Sequence, residues 1–411
     1  MAEAPGDTLQ RSSDHRTRTE HPETVAATAE LLRRTGGSVL VRGGGTKLDW
    51  AGRVQDPDLV LDTTRLQGVL THNPADMTAS VRAGTTLAAL QQHLAGDGQW
   101  LALDPPTAGR GATLGGLLAA GDSGPSRLRY GGMRDLVIGV TLVLADGTVA
   151  RSGGHVIKNV AGYDLAKLIH GSLGSLALVA EIVLRLHPRP PASLTVAGSA
   201  DATQASAAAL ALMSSPLEPS AVEWTSAPTG TTGDPGQLLV RVEGTPSSVD
   251  SAGERVQDLL ASSGIKGAAL DDAEAGAAWQ AHADAVVGDA DESVLRVCGL
   301  PSDLADLADT GYRLADQSSV DLRIVSSAAL GMHTLRLAGA DPASHGSVLT
   351  GVREHALRQR ASVLLRQRPH ALDDLVDALG PRPGTAPLLS RIKAQFDPTG
   401  RFAPGRFDGW F

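Results

Sequence analysis

Three consecutive glycines directly after a short apolar run constrain the fold of this chain more than any other feature. Residues 38–41 have the composition of a buried strand, and Gly43, Gly44 and Gly45 follow at once. Adjacent glycines allow successive backbone N–H groups to approach an anion without obstruction by Cβ atoms. The loop therefore predicts a nest for a pyrophosphate group, and a plain tight turn is the alternative.

The residues around this loop exclude two common phosphate-binding motifs. The loop ends in Thr46 and Lys47, without the Gly-x-x-x-x-Gly-Lys-Ser/Thr spacing of nucleoside triphosphatases. It also lacks the Gly-x-Gly-x-x-Gly pattern before a long helix that marks a Rossmann site. If the loop is a pyrophosphate nest, its ligand is therefore a diphosphate-containing cofactor that is bound by neither of these two motifs.

A second segment of small and hydroxyl residues runs from position 103 to 125. Such residues suit a backbone that follows an extended ligand closely, and core packing explains them less well because large apolar side chains are few. We predict that 104–132 is a long site loop. Its candidate ligand residues are Pro106, Thr107, Gly111, Thr113, Gly115, Gly116, Ser123 and Gly124.

A third glycine-rich segment runs from position 153 to 174. In the functional interpretation Lys158 stabilises a reduced, anionic cofactor by its charge, and Tyr163 stacks on the cofactor or donates a hydrogen bond. The alternative is an ordinary surface lysine with a half-buried tyrosine. For the third segment taken alone, the ordinary surface lysine and half-buried tyrosine are the favoured interpretation.

The remaining pattern predicts an α+β protein with a domain boundary near residue 190. Apolar runs typical of strands alternate with amphipathic helical segments, and the prolines between 188 and 191 interrupt the alternation. We predict strands at 59–62, 78–82, 136–144, 176–186, 237–242, 293–298, 331–338 and 362–365. We predict a disordered tail at 1–20, a cofactor domain at 21–190, an α+β cap domain at 191–385 and a C-terminal segment at 386–411 that returns to the first domain.

Composition narrows the class of protein further. The net charge is -9 and no basic cluster is present, so nucleic acid is not an expected partner. Cys298 is the single cysteine, which leaves the chain unable to hold an iron–sulfur cluster or an internal disulfide by itself. No apolar run reaches the roughly 18 residues of a membrane span, and the first 20 residues have no apolar core. We therefore expect a cytoplasmic protein without direct membrane insertion.

The order and spacing of the three loops resemble one family. They are similar to the FAD domains of the vanillyl-alcohol oxidase and p-cresol methylhydroxylase (PCMH) type, in which two lobes hold an extended FAD. Within that superfamily the chain most resembles the FAD-binding subunits of bacterial glycolate oxidase. The resemblance rests on residues 42–50, 61–66, 103–107 and 156–165. It covers nearly all of 21–190 and the C-terminal tail.

The resemblance implies a two-lobed FAD-binding domain with an α+β cap and assigns cofactor contacts by position. Gly43, Gly44, Gly45 and Thr46 would bind the pyrophosphate. The flavin and ribityl chain would be lined by Thr107, Thr113, Gly115, Gly116, Ser123 and Gly124. Gly174 and Val179 would contact the adenosine half. The other implied cofactor residues are Arg42, Lys47, Pro106, Gly111 and Lys158.

Three departures from the family pattern refine these expectations. Many relatives attach the flavin through a histidine after the first-loop glycines, where this chain has Thr46, so we expect non-covalent FAD. The tail motif is commonly Phe-Asn-Pro-Gly in relatives, and this chain has Ala403. The Gly-Asp-Gly-Asn-x-His signature and clustered histidines that bind a metal in D-2-hydroxyacid dehydrogenases are not found. We therefore expect no metal, and the catalytic residues are unknown.

The implied function is that of an FAD-binding subunit in a glycolate oxidase complex, with hydride transfer from glycolate to the flavin. The expected partners are a small 2-hydroxy acid substrate, a catalytic flavoprotein subunit and an iron–sulfur subunit. Any attachment of the chain to the inner membrane would be peripheral and made through the partner subunits. If substrate binds here, Arg336 is a candidate for its carboxylate; an exposed strand arginine is the alternative.

Two other functions stay open. One is a stand-alone FAD oxidase or dehydrogenase of another 2-hydroxy acid or a polyol. The other is a non-catalytic assembly subunit with a degenerate FAD site. The intact glycines of all three loops argue against the assembly subunit.

Overall fold

The computed structural model describes residues 17–54, 56–156, 162–228, 230 and 233–411. Its mixture of helices and sheets confirms the α+β class. The strands are β1 (Arg18–Glu20), β2 (Val39–Arg42), β3 (Leu59–Asp62), β4 (Val69–Asn73), β5 (Thr78–Arg82), β6 (Gln99–Trp100), β7 (Val137–Val143), β8 (Val149–Gly153), β9 (Leu178–Arg185), β10 (His187–Pro188), β11 (Ala192–Ala200), β12 (Ala221–Thr225), β13 (Gly236–Gly244), β14 (Gly267–Ala269), β15 (Ser293–Cys298), β16 (Asp321–Ser327), β17 (Met332–Ala338) and β18 (Ser362–Gln367). The α-helices are α1 (Val25–Arg34), α2 (Leu87–Ala95), α3 (Leu114–Ala120), α4 (Arg127–Tyr130), α5 (Met133–Leu136), α6 (Leu165–Ile169), α7 (Ala202–Met213), α8 (Pro246–Ser262), α9 (Asp272–Val286), α10 (Leu304–Gln317), α11 (Pro342–Arg358) and α12 (Ala386–Phe396).

A small parallel sheet of order β1-β3-β2 forms the first lobe. Its central strand β3 is buried along its whole length, as is usual for a parallel strand that is covered on both faces. Leu32 of α1 packs in one apolar cluster with Val39, Leu61 and Phe402. This cluster fixes the end of β2, where the first glycine loop begins.

A five-stranded antiparallel sheet of order β4-β5-β9-β7-β8 forms the second lobe. A hairpin with Asp146 and Gly147 in its turn joins β7 to β8. The Asp146 carboxylate accepts the backbone N–H of Thr148 at 2.8 Å, and Gly147 has φ +79°. Helices α2 and α3 share an apolar cluster with this sheet.

An eight-stranded antiparallel sheet of order β14-β11-β13-β12-β16-β17-β15-β18 dominates the cap. Helices α7, α8, α10 and α11 share one apolar cluster with it. Leu295 and Val297 of β15 belong to that cluster, so Arg296 between them lies on the opposite face, because side chains alternate along a strand. That second face of the sheet borders the cavity described below.

Side chains of the cap join it to the first domain. Arg241 of β13 donates to the Asp104 carboxylate at 3.2 Å, and Tyr130 donates its hydroxyl to Glu243 at 2.8 Å. Arg368, directly after β18, donates to the backbone oxygens of Asp49 and Ala51 at 3.0 and 2.8 Å. These contacts hold the second glycine loop and the first loop against the large sheet.

The C-terminal segment lies against the first lobe. The backbone N–H of Val39 donates to the Arg401 oxygen at 2.7 Å, and Ala403 N–H donates to the Val39 oxygen at 2.8 Å. Phe402 is fully buried between these two bonds. The Ala403 backbone has φ +45°.

The predicted tail at 1–20 is wrong for Arg18–Glu20, which form β1. Arg18 N–H donates to the Asp58 oxygen at 3.1 Å, and the strand runs parallel to β3. Backbone pairing rather than burial forms this strand, because Arg18 and Thr19 are exposed. No apolar periodicity marks it in the sequence. Positions 1–16 of the predicted tail lie outside the described residues.

The predicted long loop at 104–132 is wrong in part, because it contains α3 and α4. The Thr113 hydroxyl caps α3 by accepting from Gly116 N–H at 3.3 Å. Leu114, Leu117 and Leu118 are buried at helical spacing. The paired glycines Gly115 and Gly116 are poor helix formers and conceal the helix in the sequence.

The predicted strands at 331–338 and 362–365 are β17 and β18. They lie on either side of β15 and do not pair with each other. Strands β11, β12 and β16 were not predicted.

Candidate functional site

A cleft opens at the end of β2, where the first and second glycine loops meet. It unites segments that are far apart in the sequence, including most of the residues predicted to hold the cofactor. The cleft is lined by Val41, Gly43, Gly44, Gly45, Thr46, Lys47, Leu48, Thr63, Thr113, Gly115, Gly116, Ala119, Ala120, Leu173, Gly174, Ala177, Val179 and Arg406.

The first glycine loop is pressed against the second. A Cβ on Gly44 would lie 2.1 Å from the Gly111 oxygen, and a Cβ on Gly43 would lie 2.2 Å from Thr113 Oγ1. No side chain fits at either position without movement of its neighbour. Gly45 has φ +74°, a conformation that favours glycine. The glycines are therefore required by contact between loops, in addition to the approach to a ligand that the sequence predicts.

Backbone N–H groups of the first loop are free to bind a ligand. The N–H groups of Gly44, Gly45, Thr46 and Lys47 donate no hydrogen bond to any residue that the structure describes. These four residues all line the cleft. Because unpaired N–H groups in succession attract an anion, this part of the cleft fits a pyrophosphate.

A buried network lies behind the loops and connects them. Lys47 Nζ donates to the hydroxyls of Thr46 and Thr107, each at 2.8 Å, and lies 3.4 Å from Asp122 Oδ2. Thr107 in turn donates to Asp122 at 2.8 Å. Burial lowers the pKa of Lys47, against the opposing effect of Asp122. Lys47 thus fixes the first loop to the second loop and brings positive charge to the cleft.

Several predicted cofactor residues lie outside the lining of this cleft. Arg42 forms an ion pair with Asp62 at 2.8 Å, and Gly111 contributes its backbone oxygen to the loop contact. Pro106, Ser123 and Gly124 line a second cavity instead. Lys158 lies outside the described residues, and the Tyr163 side chain is exposed.

Several residues that line the cleft were not predicted from the sequence. Thr63 follows β3, and Arg406 comes from the C-terminal segment. Arg406 Nη1 donates to the backbone oxygens of Leu48 and Trp50 at 2.6 and 2.7 Å. Proximity of a C-terminal arginine to the first loop leaves no local signal in the sequence, because it depends on the tertiary fold.

The second cavity lies between the second glycine loop and the large sheet. Its lining is Pro106, Ser123, Gly124, Pro125, Arg127, Glu223, His282, Val286, Arg296, Val325, Ser327, Leu330, Met332 and Thr334. Glu223 Oε2 accepts from the Ser327 hydroxyl at 3.1 Å and lies 3.3 Å from His282 Nε2. The cavity is thus small, largely enclosed by two domains and lined by charged groups.

The arginine proposed from the sequence does not face this cavity. Arg336 Nη2 donates to Glu292 Oε1 at 2.7 Å, and its Nη2 also lies 3.4 Å from the carboxylate of Asp289. Its donors are therefore engaged by the protein itself. Arg296 lines the cavity in its place.

The described residues were compared with the requirements of a metal site and of a membrane-spanning helix, and they meet neither. In the described ranges, no group of three or more His, Cys, Asp or Glu side chains is placed to hold a metal ion. Over the same ranges, no helix is long and apolar enough to cross a membrane.

A family comparison defines the class of the first domain. The sequence model described as an FAD binding domain matches residues 14–153. These residues match a PCMH-type FAD-binding domain, and FAD is the cofactor. The unpaired N–H groups beside the cleft are the structural feature that fits this cofactor.

Curated relatives give a finer comparison. Glycolate oxidase subunit GlcE of Escherichia coli (strain K12) is 40% identical over 136 residues, 33% of this chain and 39% of that protein. Glycolate oxidase subunit GlcD of Bacillus subtilis (strain 168) is 31% identical over 192 residues, 46% of this chain and 41% of that protein. A D-lactate dehydrogenase of Archaeoglobus fulgidus is 34% identical over 167 residues, 41% of this chain and 37% of that protein. The chain thus matches less than half the length of each of these relatives.

Solved structures extend the comparison to the cap. The 4-ethylphenol oxidase from Gulosibacter chungangensis is 18% identical, with a TM-score of 0.73 over 94% of this chain and 88% of its own. An alkyldihydroxyacetonephosphate synthase is 17% identical, with a TM-score of 0.69 over 94% of this chain and 75% of its own. At such identities the likeness shows the fold alone. It confirms the predicted two-lobed fold with a cap.

Proposed function

We propose that this chain is the FAD-binding subunit of a glycolate oxidase or dehydrogenase complex and supports the oxidation of glycolate to glyoxylate. The observation that carries the proposal is the row of unpaired N–H groups along the cleft, in a domain of an FAD-binding family. The similarity to glycolate oxidase subunits supplies the substrate and the role as a subunit.

Each part of the cleft has a proposed role. Gly43, Gly44, Gly45 and Thr46 hold the pyrophosphate, and Gly174 and Val179 contact the adenosine half. Thr113, Gly115 and Gly116 lie along the ribityl chain, while Thr107, Ser123 and Gly124 belong to the flavin end, beside the second cavity. Bound there, FAD supplies the two-electron acceptor for oxidation of a CH–OH group.

The attachment of FAD is non-covalent in this proposal. The side chains that line the cleft, within the described ranges, include no histidine, cysteine or tyrosine. Cys298 is exposed at the end of β15 in the cap. Without such a nucleophile at the cleft, affinity rests on the N–H groups, the positive charge of Lys47 and the enclosed shape.

The proposed partners are a catalytic flavoprotein subunit and an iron–sulfur subunit. A chain with one cysteine cannot ligate an iron–sulfur cluster alone, so electron transfer through such a cluster requires another chain. Relatives that are named as subunits support a complex. We place this complex in the cytoplasm, with any attachment to the inner membrane made by the partner subunits.

Anaerobic reduction by glycolate tests the subunit role. The purified chain is expected to carry oxidised FAD that glycolate does not bleach until the partner chains are added. Visible absorbance of the flavin reports reduction, and glyoxylate is quantified in the same samples. A complex that is reconstituted with FAD and yet forms no glyoxylate would contradict the proposal.

A stand-alone FAD dehydrogenase of another 2-hydroxy acid is the second candidate function. The similarity to D-lactate dehydrogenases and the charged cavity beside the second loop favour it. Bleaching of the isolated chain by a 2-hydroxy acid is the result that would establish it over the subunit role. A degenerate assembly subunit receives less support, because the N–H groups of the first loop are arranged for a ligand.

A further inference from the structure

The second cavity contains a guanidinium group that the protein leaves without a partner. Arg296 is 7% exposed, and its Nε has no hydrogen-bond partner among the described residues; the charges of Asp122 and Glu223 act on it without a hydrogen bond or a close ion pair. Its Nε is fully enclosed, and the residue lines the cavity. A buried charge without a partner is destabilising, so the arrangement is understandable if a ligand supplies the missing anion.

Neighbouring groups increase this excess of positive charge. Arg366 of β18 is 8% exposed and stacks on the Trp50 ring at 3.8 Å. It lies 3.9 Å from Asp122 Oδ1. The other carboxylate oxygen of Asp122 already contacts Lys47 and Thr107. Burial, and then the charge of Arg296, lowers the pKa of Arg366 to about 9. Arg127 also lines the cavity, with Nη1 3.3 Å from Ser123 Oγ.

One wall of the same cavity is negative. The Glu223 carboxylate can only accept hydrogen bonds, and Ser327 and His282 occupy its Oε2. A ligand group that donates a hydrogen bond suits Glu223, whereas a second carboxylate would be repelled. The lining of the cavity is therefore complementary to a small molecule with an anionic group at one end and a hydrogen-bond donor at the other.

We infer that this cavity binds a small 2-hydroxy carboxylate, with Arg296 and Arg127 on its carboxylate and Glu223 accepting a hydrogen bond from its hydroxyl. The inference rests on the proposed function and deepens it, because it assigns acid binding to this chain itself. In this inference, arginine donors recognise the carboxylate. A guanidinium is well suited to the task because its fork of donors matches the two carboxylate oxygens.

Three ligands with the same two-carbon skeleton test the recognition of both ends. Glycolate has the carboxylate and the hydroxyl, acetate lacks the hydroxyl, and ethylene glycol lacks the carboxylate. Calorimetric titration of the full-length, FAD-loaded chain under anaerobic conditions is expected to give tightest binding for glycolate, weaker binding for acetate and none for ethylene glycol. The visible spectrum is recorded in parallel, so that binding is separated from flavin reduction.

Variants assign the binding to Arg296. Arg296→Met is expected to weaken glycolate binding by about 30-fold or more, since truncating one partner of a buried charge pair typically costs 2–5 kcal/mol. Arg296→Lys should fall between, because lysine keeps the charge without the fork. Arg323→Met is the matched control: Arg323 lies on the same sheet but lines a different cleft, so its loss should leave glycolate binding unchanged.

Measurements of stability and FAD content distinguish acid binding by Arg296 from a purely structural role of this residue. Without an acid, Arg296→Met should have a melting temperature equal to or above that of the unmodified chain, because an unpaired buried charge is removed. Glycolate should raise the melting temperature of the unmodified chain only. FAD content should be the same in all variants.

Several outcomes would overturn the inference. They are equal binding of glycolate and ethylene glycol, unchanged glycolate binding in Arg296→Met, preferential binding of inorganic phosphate over glycolate, or loss of FAD from Arg296→Met. None of these would overturn the subunit role, which fails instead if the complete complex binds glycolate and forms no glyoxylate. The two proposals are therefore distinguishable.

Discussion

Gly44 determines how closely the two glycine loops approach each other. In Gly44→Ala the new Cβ would lie 2.1 Å from the Gly111 oxygen, so one backbone segment must shift. We expect the free energy of unfolding to fall by about 1–3 kcal/mol, as for other overpacked sites, and FAD content to fall with it. Gly36→Ala is the control, since its Cβ would meet nothing within 4 Å. Equal FAD content in both variants would contradict the described contact.

The pair of Lys47 and Asp122 provides a second test at the scale of residues. Asp122→Asn leaves the Lys47 ammonium, whose side chain is 7% exposed, without its counter-charge. We expect the free energy of unfolding in urea to fall by about 3–5 kcal/mol, the usual effect of breaking a buried pair. The double variant Lys47→Met with Asp122→Asn should be more stable than Asp122→Asn alone. Additive losses would show that the two charges are not coupled.

Arg296 and Arg336 show what sequence analysis cannot separate. Each is an arginine within an apolar strand, and Arg336 was selected as the substrate candidate. In the sheet, Arg296 pairs with Thr334 across β15 and β17, and Arg336 pairs with Val294. Glu292 forms hydrogen bonds with Arg336, whereas Arg296 Nε has no hydrogen-bond partner among the described residues. The difference depends on strand register and on the cap docking against the second loop, and neither is a local property of the sequence.

At the scale of elements, Arg401 adds side-chain hydrogen bonds to the backbone pairing and the buried Phe402 that hold the C-terminal segment against the first lobe. Arg401 donates to the backbone oxygens of Leu32, Thr35, Gly37 and Ala145. Arg401→Ala should lower the free energy of unfolding by at least about 1.5–3 kcal/mol, because hydrogen bonds from a charged donor are lost. Hydrogen exchange in residues 397–406 should accelerate as well. In the control Arg391→Ala, at an exposed position of α12, exchange should be unchanged; equal acceleration in both would contradict the role of Arg401.

Elements with local signals were predicted well, and elements formed by tertiary contact were not. β3, β5 and β15 were predicted with the bounds observed, because the pattern of apolar residues marks them. β1 has exposed side chains and exists through pairing with β3. α3 was not predicted because it contains Gly115 and Gly116, which are poor helix formers. The first glycine loop was recognisable because its function depends on residues adjacent in sequence.

At the scale of the whole molecule, buried histidine makes stability depend on pH. Burial, and then the charge of Arg296, lowers the pKa of His333 from 6.5 to about 4. Between these values the unfolded chain binds a proton that the folded chain does not, so stability falls as pH decreases from about 6.5 to about 4. The contribution is at most about 1.4 kcal/mol per pH unit.

His333→Gln tests this contribution to acid sensitivity. The variant keeps a polar group near Ser326, which contacts His333 Nδ1 at 2.8 Å, but has no group that titrates in this range. Urea unfolding at several pH values should show a shallower decline between pH 6.5 and 4 for the variant. Parallel curves for the two proteins would show that His333 is not held neutral in the folded chain.

The whole molecule places two lobes, a cap and a returning tail around one cleft and one adjoining cavity. The four-part division at residues 20, 190 and 385 stays a prediction, apart from the earlier start at β1. The family match and the fold comparisons establish an FAD-binding domain with a cap, while glycolate, the partner subunits and the acid site are proposals. Their common premise is that this chain holds FAD in the cleft.

The stoichiometry of releasable flavin tests that premise most directly. The purified chain is denatured with acid, the precipitate is removed, and FAD in the supernatant is quantified against protein, beside Gly44→Ala as the cleft variant. We expect close to one FAD per chain in the supernatant for the unmodified protein and much less for Gly44→Ala. A colourless unmodified protein that takes up no added FAD, or flavin that stays in the precipitate with the polypeptide, would contradict it.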